Sequence, residues 1–85
     1  MRNLKTDWSF EKVDHERKIV FIIDYDGPVS VTNAAEQVCE EVFNYEPELL
    51  NYRLFYRDTM RQWDELVHDE NGKFVSFAPG NGIQP

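Results

Sequence analysis

Few residues in this 85-residue chain have the type and spacing to do chemistry. The sharpest pair is Asp24 and Asp26, in Asp24-Tyr25-Asp26-Gly27-Pro28, directly after an apolar run. Two neighbouring carboxylates could divide the work of nucleophile and acid/base, and hold a divalent cation beside them. The same residues also make ordinary turn chemistry, because Asp, Gly and Pro each favour a chain reversal. His15 and His68 could act as acid/base groups or metal ligands, with Asp14, Glu16, Asp69 and Glu70 nearby. Both fall in polar turns, no metal-motif spacing links them, and solvated histidines are the expectation. Cys39 is the single cysteine, so an internal disulfide and any multi-cysteine metal site are excluded. It lies on the apolar side of a predicted helix with no base near it in sequence, so a buried, inert thiol is expected. There is no Gly-rich phosphate loop and no Gly-x-Ser-x-Gly elbow. We assign no catalytic residue, no metal site and no cofactor, and expect a protein that is not an enzyme.

Val20-Phe21-Ile22-Ile23-Asp24-Tyr25-Asp26-Gly27 resembles the first motif of the haloacid-dehalogenase-like phosphatases. The resemblance implies Asp24 as nucleophile, Asp26 as general acid/base and a magnesium ion beside them. It ends at Gly27, where that family continues with Thr or Ser and this chain has Pro28. The family also needs a later Lys and a later acidic pair on a much larger doubly wound sheet, for which this chain is too short. A small magnesium-dependent phosphohydrolase using Asp24 and Asp26 therefore stands as the alternative reading.

Two surfaces could bind rather than react. Sixteen acidic and nine basic residues give a net charge of −7, and they are unevenly distributed. No Lys or Arg occurs between Lys18 and Arg53, a stretch that holds Asp24, Asp26, Glu36, Glu40, Glu41, Glu46 and Glu48. Solvated helices usually mix signs, since i,i+4 pairs add local stability. An unrelieved anionic face on a small domain suits a basic groove, and Glu36, Glu40, Glu41, Glu46 and Glu48 are the candidate partner-binding residues. Such a field discourages DNA, RNA and anionic lipid and favours basic proteins. The secondary candidate is the one basic–aromatic cluster, Arg53, Tyr56, Arg57 and Trp63. Single-strand-binding faces use this mixture, but cross-strand ion pairs and core aromatics explain it equally.

The elements that position these residues follow from pattern. Lys18 to Ile23 is a strand apolar on both faces, which suits a central place covered on both sides or an open face covered by another element. Ser30, or else Thr32, caps a helix that runs to Asn44. Its buried stripe is expected at Val31, Ala34, Ala35, Val38, Cys39, Val42 and Tyr45, with Glu40 and Glu41 facing solvent and Glu36 nearer the stripe. Pro47 ends it. Tyr52–Arg57 alternates, with Tyr52, Leu54 and Tyr56 on one face and Arg53, Phe55 and Arg57 on the other. Trp63–His68 and Phe74–Phe77 complete a meander, the second turn carrying the Asn71-Gly72 hairpin signal. Trp8–Val13 is a strand or a single helical turn. The expected fold is α+β, a two-layer sandwich of one helix on a mixed four- or five-stranded sheet in the order β(β)αβββ. Residues 1–78 form one domain and 79–85 a flexible tail.

Trp8-Ser9-Phe10, Lys18 to Phe21, Ser30 to Glu36, Tyr56-Arg57-Asp58-Thr59 and Trp63-Asp64-Glu65 together resemble small phage and prophage proteins with no assigned activity. That resemblance implies an accessory role, such as inhibition of a host defence or nucleic-acid-processing protein, and no catalytic residue. No apolar run approaches the roughly 18 residues that span a bilayer, and Met1 to Lys5 lacks the apolar core of a signal peptide. The expectation is a cytoplasmic protein, in a host cell if phage-borne, that binds a host protein with a basic surface. It should bind no nucleic acid directly and no membrane. A homodimer through the aromatic sheet face is a further alternative.

Overall fold

The computed structural model describes residues 8–24, 32–58 and 60–85, with Trp8 and Asp24 described by backbone alone. The strands are β1 (Trp8–Asp14), β2 (Ile19–Asp24), β3 (Arg53–Arg57), β4 (Trp63–His68) and β5 (Phe74–Ala78). The helix α1 (Thr32–Tyr45) precedes β3, and a 3-10 turn occupies Pro47–Asn51. The sheet follows chain order, β1-β2-β3-β4-β5, antiparallel except where β2 and β3 run parallel. Parallel neighbours need a crossover, and α1 provides it. The α+β fold of one helix on a five-stranded mixed sheet is as the pattern indicates, with Trp8–Asp14 settled as a strand.

The core lies between α1 and the sheet. Ala35, Val38, Cys39 and Val42 are fully buried against Val20, Ile22, Leu54 and Leu66. Residues directly opposite in adjacent strands share a face, so the register Ile22↔Tyr56 and Val20↔Leu54 puts Tyr56 on the helix side too.

Phase differs from expectation at the helix's last turn. Tyr45, expected in the stripe, is 36% exposed and meets Phe10 with ring centroids 5.8 Å apart. Phe43, not expected there, is buried, its ring 4.6 Å from that of His68. The β4–β5 turn draws Phe43 inward. Gly72, at φ +84°, leaves the space: a Cβ there would lie 2.8 Å from the Phe43 ring and 2.9 Å from Leu50.

Three of the turns are headed by aspartate. The Asp14 carboxylate accepts from the Glu16 and Arg17 amides at 3.1 and 3.0 Å. Asp58 accepts from Met60 and Gln62 at 2.8 and 2.9 Å, and Asp69 from Asn71 and Lys73 at 2.9 and 3.0 Å. Each turn then needs one residue in the left-handed region, supplied by Lys18 (φ 56°), Arg61 (φ 63°) and Gly72. Asn71 is not among the positive-φ residues, so the Asn-Gly turn needs only its glycine there. The aspartate side chains supply the local bonds that offset left-handed backbone at lysine and arginine.

Residues 79–85, read from sequence as a flexible tail, lie against the sheet face opposite α1. Asn81 (φ 54°) and Gly82 (φ 85°) turn the chain, and the Ile83 amide donates to the Gly80 carbonyl at 3.2 Å. Ile83 then packs on a second apolar cluster of Ile19, Phe21, Phe55 and Trp63. Gly80 is so close to β4 that an added Cβ would lie 1.6 Å from the Trp63 carbonyl oxygen.

Candidate functional site

Helix α1 and the turn after it carry all five glutamates singled out in the sequence, but not on one surface. Glu36 and Glu40 are exposed and one turn apart. With Phe43, Asn44, Asn71, Gly72, Lys73 and Phe74 they line a groove of about 350 Å³ between α1 and the β4–β5 turn. Glu48 is exposed on the 3-10 turn, whereas Glu46 is half-buried ahead of it. Glu41, expected to face solvent beside Glu40, is half-buried. At about 100° per residue it falls on the opposite flank of α1 from Glu36, toward β1. Of the five, Glu36 and Glu40 share one surface and Glu48 is exposed on the following turn, with Glu41 set apart from them. No ion pair involves these three among the described residues.

Three arginines stand on the other side of the sheet, while Lys73 lies in the groove with Glu36 and Glu40. Arg17 lies over the Phe21 ring at 5.7 Å, Arg53 over Phe55 at 5.0 Å and Arg57 over Trp63 at 6.0 Å. Beneath them Phe21 stacks on Phe55 at 5.9 Å and meets Trp63 edge-on at 4.9 Å. Arg53 reaches Glu65 with two bonds, at 2.9 and 3.2 Å, a fork geometry that only guanidinium offers. Arg17 bonds Asp14 at 2.8 Å and donates to the Gln84 carbonyl at 3.0 Å, tying the C-terminal segment down. With the Arg17 backbone amide and then its guanidinium bonded to it, the Asp14 carboxyl has its pKa held down at about 2.

This face corrects the sequence reading of the basic–aromatic cluster. Arg53, Arg57 and Trp63 come together, but Tyr56 points the other way, 6% exposed within the helix-side core. Burial, with Asp64 and Asp58 nearby, pushes its hydroxyl up. Phe21 and Phe55 are 0% exposed although no helix among the described residues covers them. Their ring faces are already occupied by guanidinium groups and Ile83, so no base could stack there in this arrangement.

Beside this cluster a groove of about 580 Å³ runs between the C-terminal segment and the β3–β4 turn. Arg57, Arg61, Gln62, Trp63, Asp64 and Glu11 line its sheet side. Neither arginine has an ion pair among the described residues. Burial and the neighbouring Asp58 carboxylate push Asp64 up, so the two acids titrate as a pair with Asp58 the more acidic.

The remaining candidates resolve into structure. His68 is half-buried, its Nε2 and Nδ1 each 2.9 Å from a carbonyl oxygen, of Tyr52 and Asp69. His15 Nδ1 lies 2.8 Å from the Tyr52 hydroxyl. Both histidines thus converge on Tyr52, a junction with no signal in sequence spacing. Among the described residues no group of three or more His, Cys, Asp or Glu could hold a metal ion. Cys39 is fully buried, and burial pushes its thiol up to about 12. The Asp24 side chain and Asp26 lie outside the described residues, as does Ser30. No described helix is long and apolar enough to cross a membrane. No protein-family model, characterised protein or solved structure matches the chain.

Proposed function

We propose that this protein is a small binding module without catalytic activity, whose acidic helix layer docks on a basic surface of another protein. The observation that carries the reading is the separation of charge by layer. Glu36, Glu40 and Glu48 project from α1 and the 3-10 turn with no Lys or Arg in either element, while Arg17, Arg53 and Arg57 stand on the opposite sheet face. An anionic surface of this kind competes for grooves that are basic because they hold nucleic acid. A nucleic-acid-processing or defence protein is the class of partner, and the sequence resemblance to small phage proteins supports an inhibitor of the anti-CRISPR or anti-restriction type.

The test is capture from host lysate on the parent and on Glu36→Lys/Glu40→Lys/Glu48→Lys in parallel, at low and at high salt. All three side chains are exposed, so the variant should melt within a few degrees of the parent. Basic proteins held by the parent at low salt, and lost both to the variant and to salt, are the expected result. A folded variant that captures the same proteins as tightly would overturn the reading.

A further inference from the structure

The chain contains two Asn-Gly pairs, Asn71-Gly72 and Asn81-Gly82, and the fold treats them oppositely. We propose that Asn81 is a self-modification site, where the Gly82 backbone nitrogen converts the side-chain amide to a carboxylate, while the same chemistry is blocked at Asn71. The proposal is independent of the docking reading above.

The reaction needs only water. The glycine amide nitrogen, its proton lost to solvent base, attacks the asparagine Cγ. A carbon–nitrogen bond forms, ammonia leaves, and a cyclic succinimide closes. Water then opens the ring at either carbonyl, giving aspartate or its isoaspartyl isomer. Glycine in the second position favours the attack, because no side chain shields its nitrogen and its backbone turns freely.

At the β4–β5 turn that access and freedom are lost. Gly72 is buried, and its amide donates to the Asp69 carbonyl at 3.0 Å. The amides on either side, of Asn71 and Lys73, donate to the Asp69 carboxylate at 2.9 and 3.0 Å. Even the space for one added carbon at Gly72 is taken, by the Phe43 ring at 2.8 Å and Leu50 at 2.9 Å. Attack there waits for the turn to open. In the C-terminal segment, Asn81 and Gly82 are both exposed, and an added carbon at Gly82 would meet nothing within 4 Å. Among the described residues neither the Asn81 side chain nor the Gly82 amide has a hydrogen-bond partner.

The product changes the surface. Asn81 lines the groove that holds Arg57, Arg61, Glu11 and Asp64, whose formal charges cancel. A new carboxylate tips that groove to acidic. The isoaspartyl form also puts an extra carbon into the backbone between Gly80 and Ile83, where the Ile83 amide closes a turn on the Gly80 carbonyl at 3.2 Å. A lengthened turn no longer seats Ile83 on Phe21, Phe55 and Trp63, so the seal over this sheet face loosens.

The test ages the folded full chain at mildly alkaline pH, with the same chain in concentrated guanidinium chloride alongside, and follows both peptides by mass spectrometry. In denaturant the two sites should react at comparable rates, since each is an Asn-Gly pair. In the folded chain Asn81 should stay near its denatured rate, while Asn71 falls behind by roughly tenfold or more, because its turn hydrogen bonds must break before attack. The isoaspartyl fraction, separated by charge, should show redder Trp fluorescence than the parent. Asn71 reacting as fast as Asn81 in the folded chain overturns the proposal, and so does an Asn81 that folding slows as much as Asn71. An isoaspartyl fraction whose fluorescence matches the parent's overturns the loosening of the seal.

Discussion

The two faces of the sheet exclude water by different means. On the helix side, aliphatic side chains of α1 interlock with Val20, Ile22, Leu54 and Leu66. On the other side the described residues form no second layer, yet Phe21 and Phe55 are as inaccessible as the helix-side core. Three guanidinium groups lie over the three rings, and Ile83 fills the remaining gap. A regular element seals one face by shape. The other is sealed by long side chains whose stems and planar heads cover rings while their charge stays wet. The difference has a functional consequence: it draws Arg17, Arg53 and Arg57 to one face, while α1 itself carries no base.

The comparison predicts that one chemical insult will have unequal effects on the two faces. Val38→Asp places an unpaired carboxylate in the dry helix–sheet core, with no base in α1 and the β3 arginines on the opposite face of the sheet. We expect a loss of about 4 kcal/mol or more, enough to unfold a domain of this size. A Val38→Asp variant with a cooperative melt near the parent's would show that the helix side is not sealed as described.

Ile83→Ser tests the other seal. It removes the one aliphatic side chain the C-terminal segment contributes to the ring cluster. A cost of about 1–2 kcal/mol is expected, because the segment can lift and the site is shallow. Its signature should be local: faster hydrogen exchange at Trp63 and Asp64, and redder Trp fluorescence, without loss of the α1 amides' protection. Exchange that quickens equally in α1 would mean the two faces unfold as one unit and the contrast between them is false.

The smallest effect expected is with pH, and it falls on the turns. Asp14, Asp58 and Asp69 all have folded values below the ordinary 3.8, through the backbone amides they accept from. A depressed carboxylate contributes stability that is present above the unfolded value and lost as pH falls through the folded one. For Asp14 that window runs from 3.8 down to about 2. Asp64, pushed up, acts in the opposite sense and is relieved on acidification. Melting temperature should thus hold from neutral pH to about 4 and then decline. Asp14→Asn should flatten part of that decline. An unchanged slope would show that the Asp14 turn opens before it titrates.

Much of the fold was legible along the chain. The two-sided apolar run Lys18–Ile23 indicated a strand covered on both sides, and the spacing of Ala35, Val38 and Val42 indicated a helix packed on the sheet. The alternation of Leu54 and Tyr56 with Arg53, Phe55 and Arg57 predicted which of those side chains share a face, though not which face meets α1. These readings hold because period and hydrophobicity are local properties, and a residue cannot leave its face without shifting the whole strand. The Cys39 reading depends on the same helical spacing.

Other features required the tertiary structure. Glu41 and Tyr45 lie at the edge of the helical stripe, where the neighbouring strand and turn decide burial, so periodicity misplaced both. Phe43 is buried because Gly72, 29 positions along the numbering, leaves it room. Tyr52 draws His15 and His68 to one point through contacts with no shared motif. Residues 79–85 are polar, glycine- and proline-rich, and have no period to read. Their order comes from Gly80 fitting against Trp63, Ile83 entering the ring cluster and Arg17 holding the Gln84 carbonyl. The sequence by itself determined which elements form and the charge each carries. Which charges face the same way was decided only when the strands took their register, because that depends on contacts between residues far apart in the chain.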